Sequence, residues 1–212
     1  MSAAAPASVS AAEALWERQQ AANAANYAGL PLHSCSVQGH RGAEAFGWFL
    51  YTGGATVCGR ALDVGCGPQS LPLYLRGFAL DWVAGIDPLP PAAEPHPFEF
   101  VQGRAEALPW PAGEFMVAVA ATSLDHMVDP ALVVAEIRRV LLSRGRFFIW
   151  ATFWPDAVPY DPAYPPAELV DGCHAYHLGP WFREVLARRF STVREQASPA
   201  NPNDTFLELV PQ

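Results

Sequence analysis

The feature that most constrains the fold is a short apolar run that ends on two glycines. Residues Ala61-Leu62-Asp63-Val64 read as a buried strand, and Gly65-Cys66-Gly67 closes them. A strand that stops on Gly-x-Gly turns tightly, and a ligand can approach its backbone closely because no Cβ intervenes. A second apolar run, Trp82-Val83-Ala84-Gly85-Ile86, ends at Asp87, 24 residues after Asp63. In nucleotide-binding α/β units an acid about 20 residues beyond the glycine turn faces the ribose, whose two hydroxyls both donate to a carboxylate.

The rest of the chain continues the alternation. Pro72 suits the first turn of a short helix running to about Arg76, with Gly77 to end it. The prolines of residues 88–97 rule out a helix there and predict a loop. Phe98 to Val101 is a third strand, and the uninterrupted apolar run Phe115 to Ala121 predicts a central strand covered on both faces. Asp129-Pro130 reads as an N-cap followed by proline at the first helical position. The apolar residues Leu132, Val133, Ile137, Val140 and Leu141 then recur at helical spacing, with Arg138 and Arg139 free to point outward. Ser143 and Gly145 mark a turn into a strand over 146–151, and a helix over about 181–189 precedes strands at 192–196 and 205–210. The expected fold is α/β: a doubly wound, mostly parallel seven-stranded sheet with an antiparallel C-terminal strand, in a single domain.

Ahead of the sheet, Ser10-Ala-Ala-Glu13 is a capping-box pattern that opens an Ala-rich helix to about Ala28. Residues 1–9 read as loose, a loop with Pro31 and Gly39 follows, and a second helix is expected over 43–51. Residues 1–59 are therefore assigned as a helical extension or cap. Residues 60–212 form the core, with a short Pro-, Tyr- and His-rich lid at 155–180.

Charge and cysteine usage exclude several function classes. With 13 Lys+Arg against 21 Asp+Glu, a net charge of −8 and no basic run, nucleic acid is a poor partner, since phosphate binding needs clustered cations. Cys35, Cys58, Cys66 and Cys173 form no Cys-x-x-Cys pair, which points to reduced thiols. The N-terminus has no signal-peptide pattern and no run is long and apolar enough to span a membrane, so a cytoplasmic location is expected.

Four motifs in order carry a resemblance over residues 60–153: Leu62-Asp63-Val64-Gly65-Cys66-Gly67-Pro68; Gly85-Ile86-Asp87-Pro88; Gly103-Arg104-Ala105-Glu106-Ala107-Leu108-Pro109-Trp110; and Ser123-Leu124-Asp125-His126, leading into Asp129-Pro130 and Glu136-Ile137-Arg138-Arg139-Val140-Leu141. Together they resemble the class I (Rossmann-like) S-adenosylmethionine-dependent methyltransferases, in particular the small-molecule branch. The resemblance implies S-adenosyl-L-methionine as cofactor. It implies that Gly65 and Gly67 let the backbone approach the methionine part, with Cys66 between them, and that Asp63 orders the loop and meets the amino end. Asp87 would hold the ribose hydroxyls, Pro88 and Leu89 would flank the adenine, and Ala105 with its neighbours Arg104 and Glu106 would cover the adenine edge. Ser123 and Leu124 would line the pocket at the end of the fourth strand.

The chain departs from the family pattern at Gln69, at Arg104 where an acid often meets the adenine amino group, at Met116, at Ser143-Arg144-Gly145, and in the helix missing after the second strand. A guanidinium cannot accept the adenine hydrogen bond, so the Ala105 backbone or another acceptor must serve.

His126, His174 and His177 are the candidate general bases, since an imidazole near neutrality can take a proton from a hydroxyl or amine as a methyl group arrives. His126 also has a plain structural reading, a cap or a hydrogen bond at the entry of the following helix, and His174 and His177 lie in the segment expected to cover the pocket. His174 and His177 stand three apart with no third ligand evident, so no metal site is expected. The expected function is methyl transfer to an oxygen, nitrogen or carbon of a small-molecule metabolite or natural-product intermediate, by alignment of the acceptor behind an already activated methyl group. The competing reading is a non-catalytic binding or scaffold module with an eroded cofactor site, motivated by Gln69 and Arg104. A nicotinamide-dependent oxidoreductase is a third, weakened because Ser70 stands where a third glycine belongs.

Overall fold

The computed structural model describes residues 10–29, 41–91 and 94–212. Within them a seven-stranded sheet runs in the order β3-β2-β1-β4-β5-β7-β6. Its strands are β1 (Ala61–Val64), β2 (Val83–Asp87), β3 (Glu99–Gln102), β4 (Phe115–Ala121), β5 (Leu141–Thr152), β6 (Phe190–Ala197) and β7 (Asp204–Pro211). The first five pair in parallel, and β7 lies antiparallel between β5 and β6. The strand order reverses between β1 and β4, which places a crevice at the carboxyl ends of those two strands.

Among the described residues four helices accompany the sheet: α1 (Ala11–Gly29), α2 (Arg41–Thr52), α3 (Pro130–Val140) and α4 (Pro180–Ala187). The capping box at the start of α1 is present in both directions: Glu13 N donates to Ser10 Oγ (3.2 Å) and Ser10 N donates to Glu13 Oε2 (3.1 Å). Asp129 caps α3 through Leu132 N (2.9 Å), with Pro130 at the first helical position. Val133, Val134, Ile137 and Val140 are buried along one stripe of α3, against the face of the sheet that α4 also covers. Arg139 does not simply point outward. It pairs with Glu136 and donates to the carbonyls of Trp110 (2.8 Å) and Leu108 (2.9 Å), fastening the loop before β4.

The opposite face differs from expectation. The helix expected over 72–76 is only a 3-10 turn, Leu73–Leu75, with Pro72 itself extended (ψ 138°). Four residues between Pro72 and Gly77 cannot meet the cost of helix nucleation. Residues 88–91 and 94–98 form no helix either, as the prolines predict. The apolar surface is covered instead by α2, whose Phe46, Phe49 and Leu50 are buried against Tyr74, Phe148, Trp150 and Phe206. Each such side chain contributes about 1.5–3 kcal/mol by burial. Two arginines donate to carbonyls at the end of α2: Arg194 to Phe49 O, which also accepts from Gly53 N (3.1 Å), and Arg146 to Gly53 O just past the helix, both at 2.5 Å. Both also pair with the buried carboxylate of Glu208 (2.8 and 2.9 Å).

The turn expected at Ser143–Gly145 is an irregularity inside β5: the pairing slips between Phe115↔Leu141 and Val117↔Arg146. Pro31, Cys35 and Gly39, and the start of the chain through residue 9, lie outside the described residues.

Candidate active site

The carboxyl ends of β1, β2 and β4 open into a cavity of about 850 Å³, counting its solvent-filled mouth. Its floor is the glycine turn. Gly65 and Gly67 have φ of +75° and +74°, a conformation that L side chains rarely adopt. A Cβ on Gly65 would lie 2.4 Å from the Ser123 Cβ, so this turn and the end of β4 are in direct backbone contact. Ser123 locks the contact by donating its hydroxyl to Val64 O (2.6 Å). Next to it Thr122, also lining the cavity, is held at φ +55° by its N–H bond to Trp150 O (2.7 Å). A β-branched residue there stores on the order of 1–2 kcal/mol of backbone strain.

Asp87 is buried at the rim and holds the turn. Its Oδ2 accepts from Gly67 N (2.8 Å) and its Oδ1 from Leu89 N (2.9 Å). Burial pushes its carboxyl up to about 6 in spite of those two donors. Each oxygen retains a second lone pair facing the cavity it lines, the acceptor set that a ribose diol requires. Asp63 sits deeper, fully buried, and accepts from the Tyr74 hydroxyl (3.1 and 2.9 Å). Burial pushes its carboxyl up to about 7; the nearby Asp87 adds to the shift and Tyr74 opposes it.

Of the cofactor positions named from sequence, Gly65, Cys66, Gly67, Asp87, Pro88, Arg104, Ala105, Glu106 and Ser123 line this cavity. Asp63 and Leu124 do not. Asp63 acts on the wall through Tyr74, which does line it, and Leu124 is core, offering only its carbonyl to the Tyr176 hydroxyl (2.8 Å). Glu106 frames the cavity: its Oε1 accepts from Val128 N (2.6 Å) and Asp129 N (3.2 Å) ahead of α3. Arg104 reaches α1, lying 4.9 Å from the Trp16 ring centre, 3.4 Å from Glu13 and 3.5 Å from Glu106.

Sequence reasoning missed the outer wall, which α1 supplies through Trp16, Gln20 and Asn23. The signal was present as spacing: residues 16, 20 and 23 share one helical face, and the buried Ala12, Leu15 and Gln19 share the neighbouring one. Trp16 Nε1 donates to His126 O (2.9 Å), and Gln19 Nε2 donates to Asp125 O (2.9 Å), so α1 is clamped to the loop after β4.

The three candidate bases separate. His126 lines the cavity; His174 and His177 stand behind it in the segment before α4. Burial holds the His126 imidazole below its ordinary value. Gln19 Nε2 (3.0 Å) and Asn23 Nδ2 (2.8 Å) both point at its Nδ1. Because Gln19 Nε2 also serves Asp125 O, its amide orientation is fixed and Nδ1 must accept; the ring proton is then on Nε2. His174 packs against His126 at 4.8 Å between ring centres and bonds Asp171 Oδ2 through Nδ1 (2.7 Å). His177 Nε2 meets the same oxygen at 3.1 Å, while its ring stacks on Trp154 (5.0 Å). The fold thus brings one carboxylate oxygen, Asp171 Oδ2, beside both rings.

Residues 62–149 match the methyltransferase domain family, and no curated protein matches the chain. Solved structures share its architecture. The 1,6-didemethyltoxoflavin-N1-methyltransferase of Burkholderia thailandensis, with bound 1,6-didemethyltoxoflavin and S-adenosylhomocysteine, is 17% identical. It covers 99% of this chain and 93% of its own at a TM-score of 0.69. The [4+2]-cyclase SpnF is 17% identical over 96% of this chain and 97% of its own, TM-score 0.63. An S-adenosylmethionine-dependent methyltransferase from Mesorhizobium loti is 16% identical over 78% and 98%, TM-score 0.58. Identities this low speak to fold alone; the domain match over 62–149 adds the sequence pattern. Together they show a methyltransferase domain over residues 62–149, in a fold shared with S-adenosylmethionine-dependent methyltransferases.

Proposed function

We propose that the chain methylates an oxygen, nitrogen or carbon of a small-molecule metabolite or natural-product intermediate. The observation that carries this reading is the cavity itself: a glycine turn, a rim carboxylate with free acceptor capacity, and an outer wall closed by a helix of the same chain. The fold neighbour from Burkholderia, a 1,6-didemethyltoxoflavin-N1-methyltransferase with bound 1,6-didemethyltoxoflavin, lends the same direction. On this reading residues 1–59 cap a core of 60–212, and 155–180 form a lid. The acidic charge disfavours nucleic acid. Among the described residues no helix is long and apolar enough to cross a membrane, which with the free thiols of Cys58, Cys66 and Cys173 favours a cytoplasmic setting.

The residues fit the cofactor as follows. Asp87 binds the ribose diol, the Gly65–Gly67 backbone accommodates the methionine part, and Ala105 with Pro88 flanks the adenine. Asp63 holds the wall residue Tyr74 and does not itself line the cavity. S-adenosylmethionine supplies an activated methyl group, so the protein's work is alignment and exclusion of water. With Nδ1 occupied and the proton on Nε2, which faces Asp125 Oδ1 at 3.6 Å, His126 shapes the cavity wall instead of taking the acceptor's proton.

Calorimetric titration with S-adenosylhomocysteine tests the reading. Micromolar binding is expected in the native chain, weakened at least 100-fold by Asp87→Ala. Absence of binding by the folded native chain overturns it in favour of a non-catalytic module. A His126→Gln variant that keeps a hydrogen-bond donor is expected to retain most turnover, whereas a general-base role would cost it 10²-fold or more.

A further inference from the structure

Behind the cavity wall, outside the cofactor site, lies a cluster that methyl transfer does not use. Asp171, His174 and His177 recur every third residue along an irregular segment, and their ligand atoms converge. His174 Nδ1 is 2.7 Å and His177 Nε2 3.1 Å from the single oxygen Asp171 Oδ2, and all three atoms lie within 4.8 Å of one another. Ligands about 2.0–2.1 Å from a tetrahedral ion are separated by about 3.3 Å, so the three atoms need only small adjustments to share one.

The surroundings orient each ligand. Asp171 Oδ1 accepts from the backbone N–H of Cys173 (3.0 Å) and His174 (2.8 Å), which leaves Oδ2 to face the rings. His174 Nε2 faces Asp125 Oδ2 at 3.6 Å, the carboxylate–histidine arrangement that sets a ligating imidazole's tautomer. Trp154 stacks on His177 and fixes its plane. All three ligand side chains are a quarter to a third exposed, so a fourth position remains open to water.

We propose that Asp171, His174 and His177 bind one divalent transition-metal ion of the zinc class. Two imidazoles and one carboxylate favour Zn²⁺ and its neighbours, whereas Mg²⁺ and Ca²⁺ prefer all-oxygen sets. The neighbouring group Asp125–His126–His174 also converges. It is the weaker candidate, because the His126 Nδ1 is taken by Gln19 and Asn23 and its Nε2 carries the proton. A bound ion would pin the segment before α4 to the loop after β4, since Tyr176 between the ligands already donates to Leu124 O (2.8 Å) and Met127 O (3.0 Å). The proposal stands whether or not the chain transfers methyl groups.

The test uses the full chain, stripped with chelator and titrated with ZnCl₂ by calorimetry, with bound metal counted by elemental analysis after desalting. One equivalent is expected, not displaced by millimolar Mg²⁺. Affinity should fall at least 100-fold in His177→Ala and in Asp171→Asn, and hold within a few-fold in His126→Ala, each checked for fold by circular dichroism. Hydrogen exchange over 168–178 should slow when Zn²⁺ is added to the native chain and not in His177→Ala. Absence of saturable binding, binding that survives both ligand substitutions, or loss on His126→Ala alone would each overturn the assignment.

Discussion

Two groups of acids flank the same loop after β4, and opposite forces govern them. At the strand ends, Asp63 and Asp87 have partners, yet burial wins and their carboxyls rise to about 7 and about 6. In the segment before α4, burial also pushes Asp171 up, but the hydrogen bonds from His177 and His174, helped by Cys173 N–H, outweigh it and hold that carboxyl well below the usual range. The difference is one of donors. Asp63 has a neutral phenol and Asp87 two backbone N–H groups, whereas Asp171 has two imidazoles that can carry charge. At Asp63 and Asp87 burial sets the balance; Asp171 is held by its own side-chain partners.

The largest expected effect breaks the first group through its backbone. Gly65→Ala puts a Cβ against Ser123 at a left-handed φ, and a loss of about 2–4 kcal/mol in urea unfolding is expected, with cofactor binding gone. Next comes Asp63→Asn, which keeps a partner for Tyr74 and removes the charge. Burial makes the folded chain hold this proton more tightly than the unfolded chain does. The acid's contribution to stability is therefore full below about pH 4 and is lost as the pH rises to about 7. Asn should thus stabilise the chain at pH 8 relative to pH 5 by about 2–3 kcal/mol, read from the urea midpoints of both proteins. If the native chain is no less stable at pH 8, burial does not dominate there. The smallest effect sharpens the contrast: in metal-free protein Asp171→Asn should lower stability at pH 7 by about 1 kcal/mol or less. Its sign is opposite to that of Asp63→Asn, and equal signs would dissolve the distinction.

The legibility of these regions in the sequence follows from how local their physics is. The strand-end site could be read because a glycine turn, an acid one strand further on and Asp129-Pro130 are short-range patterns with one structural solution each. The 3-10 turn at 73–75 was read as a helix because nothing local reports that α2 occupies the face beside it. Asp171 was not singled out, although it lies three residues before His174, because convergence of a carboxylate with two imidazoles depends on loop conformation. Trp16, Gln20 and Asn23 are a helical stripe whose partner, the loop carrying His126, is over a hundred residues away.

The docking of α2 also has a kinetic consequence. This helix is made early, but its caps and packing partners are Arg146, Phe148, Arg194 and Phe206, near the other end of the chain. Apart from the contact with Tyr74, 28 residues beyond Phe46, these contacts close loops of about a hundred residues or more, so full docking must await β5–β7. During synthesis α2 emerges with Phe46, Phe49 and Leu50 uncovered while Trp48 and Tyr51 stay exposed even at the end, a surface that chaperones or premature association would meet first.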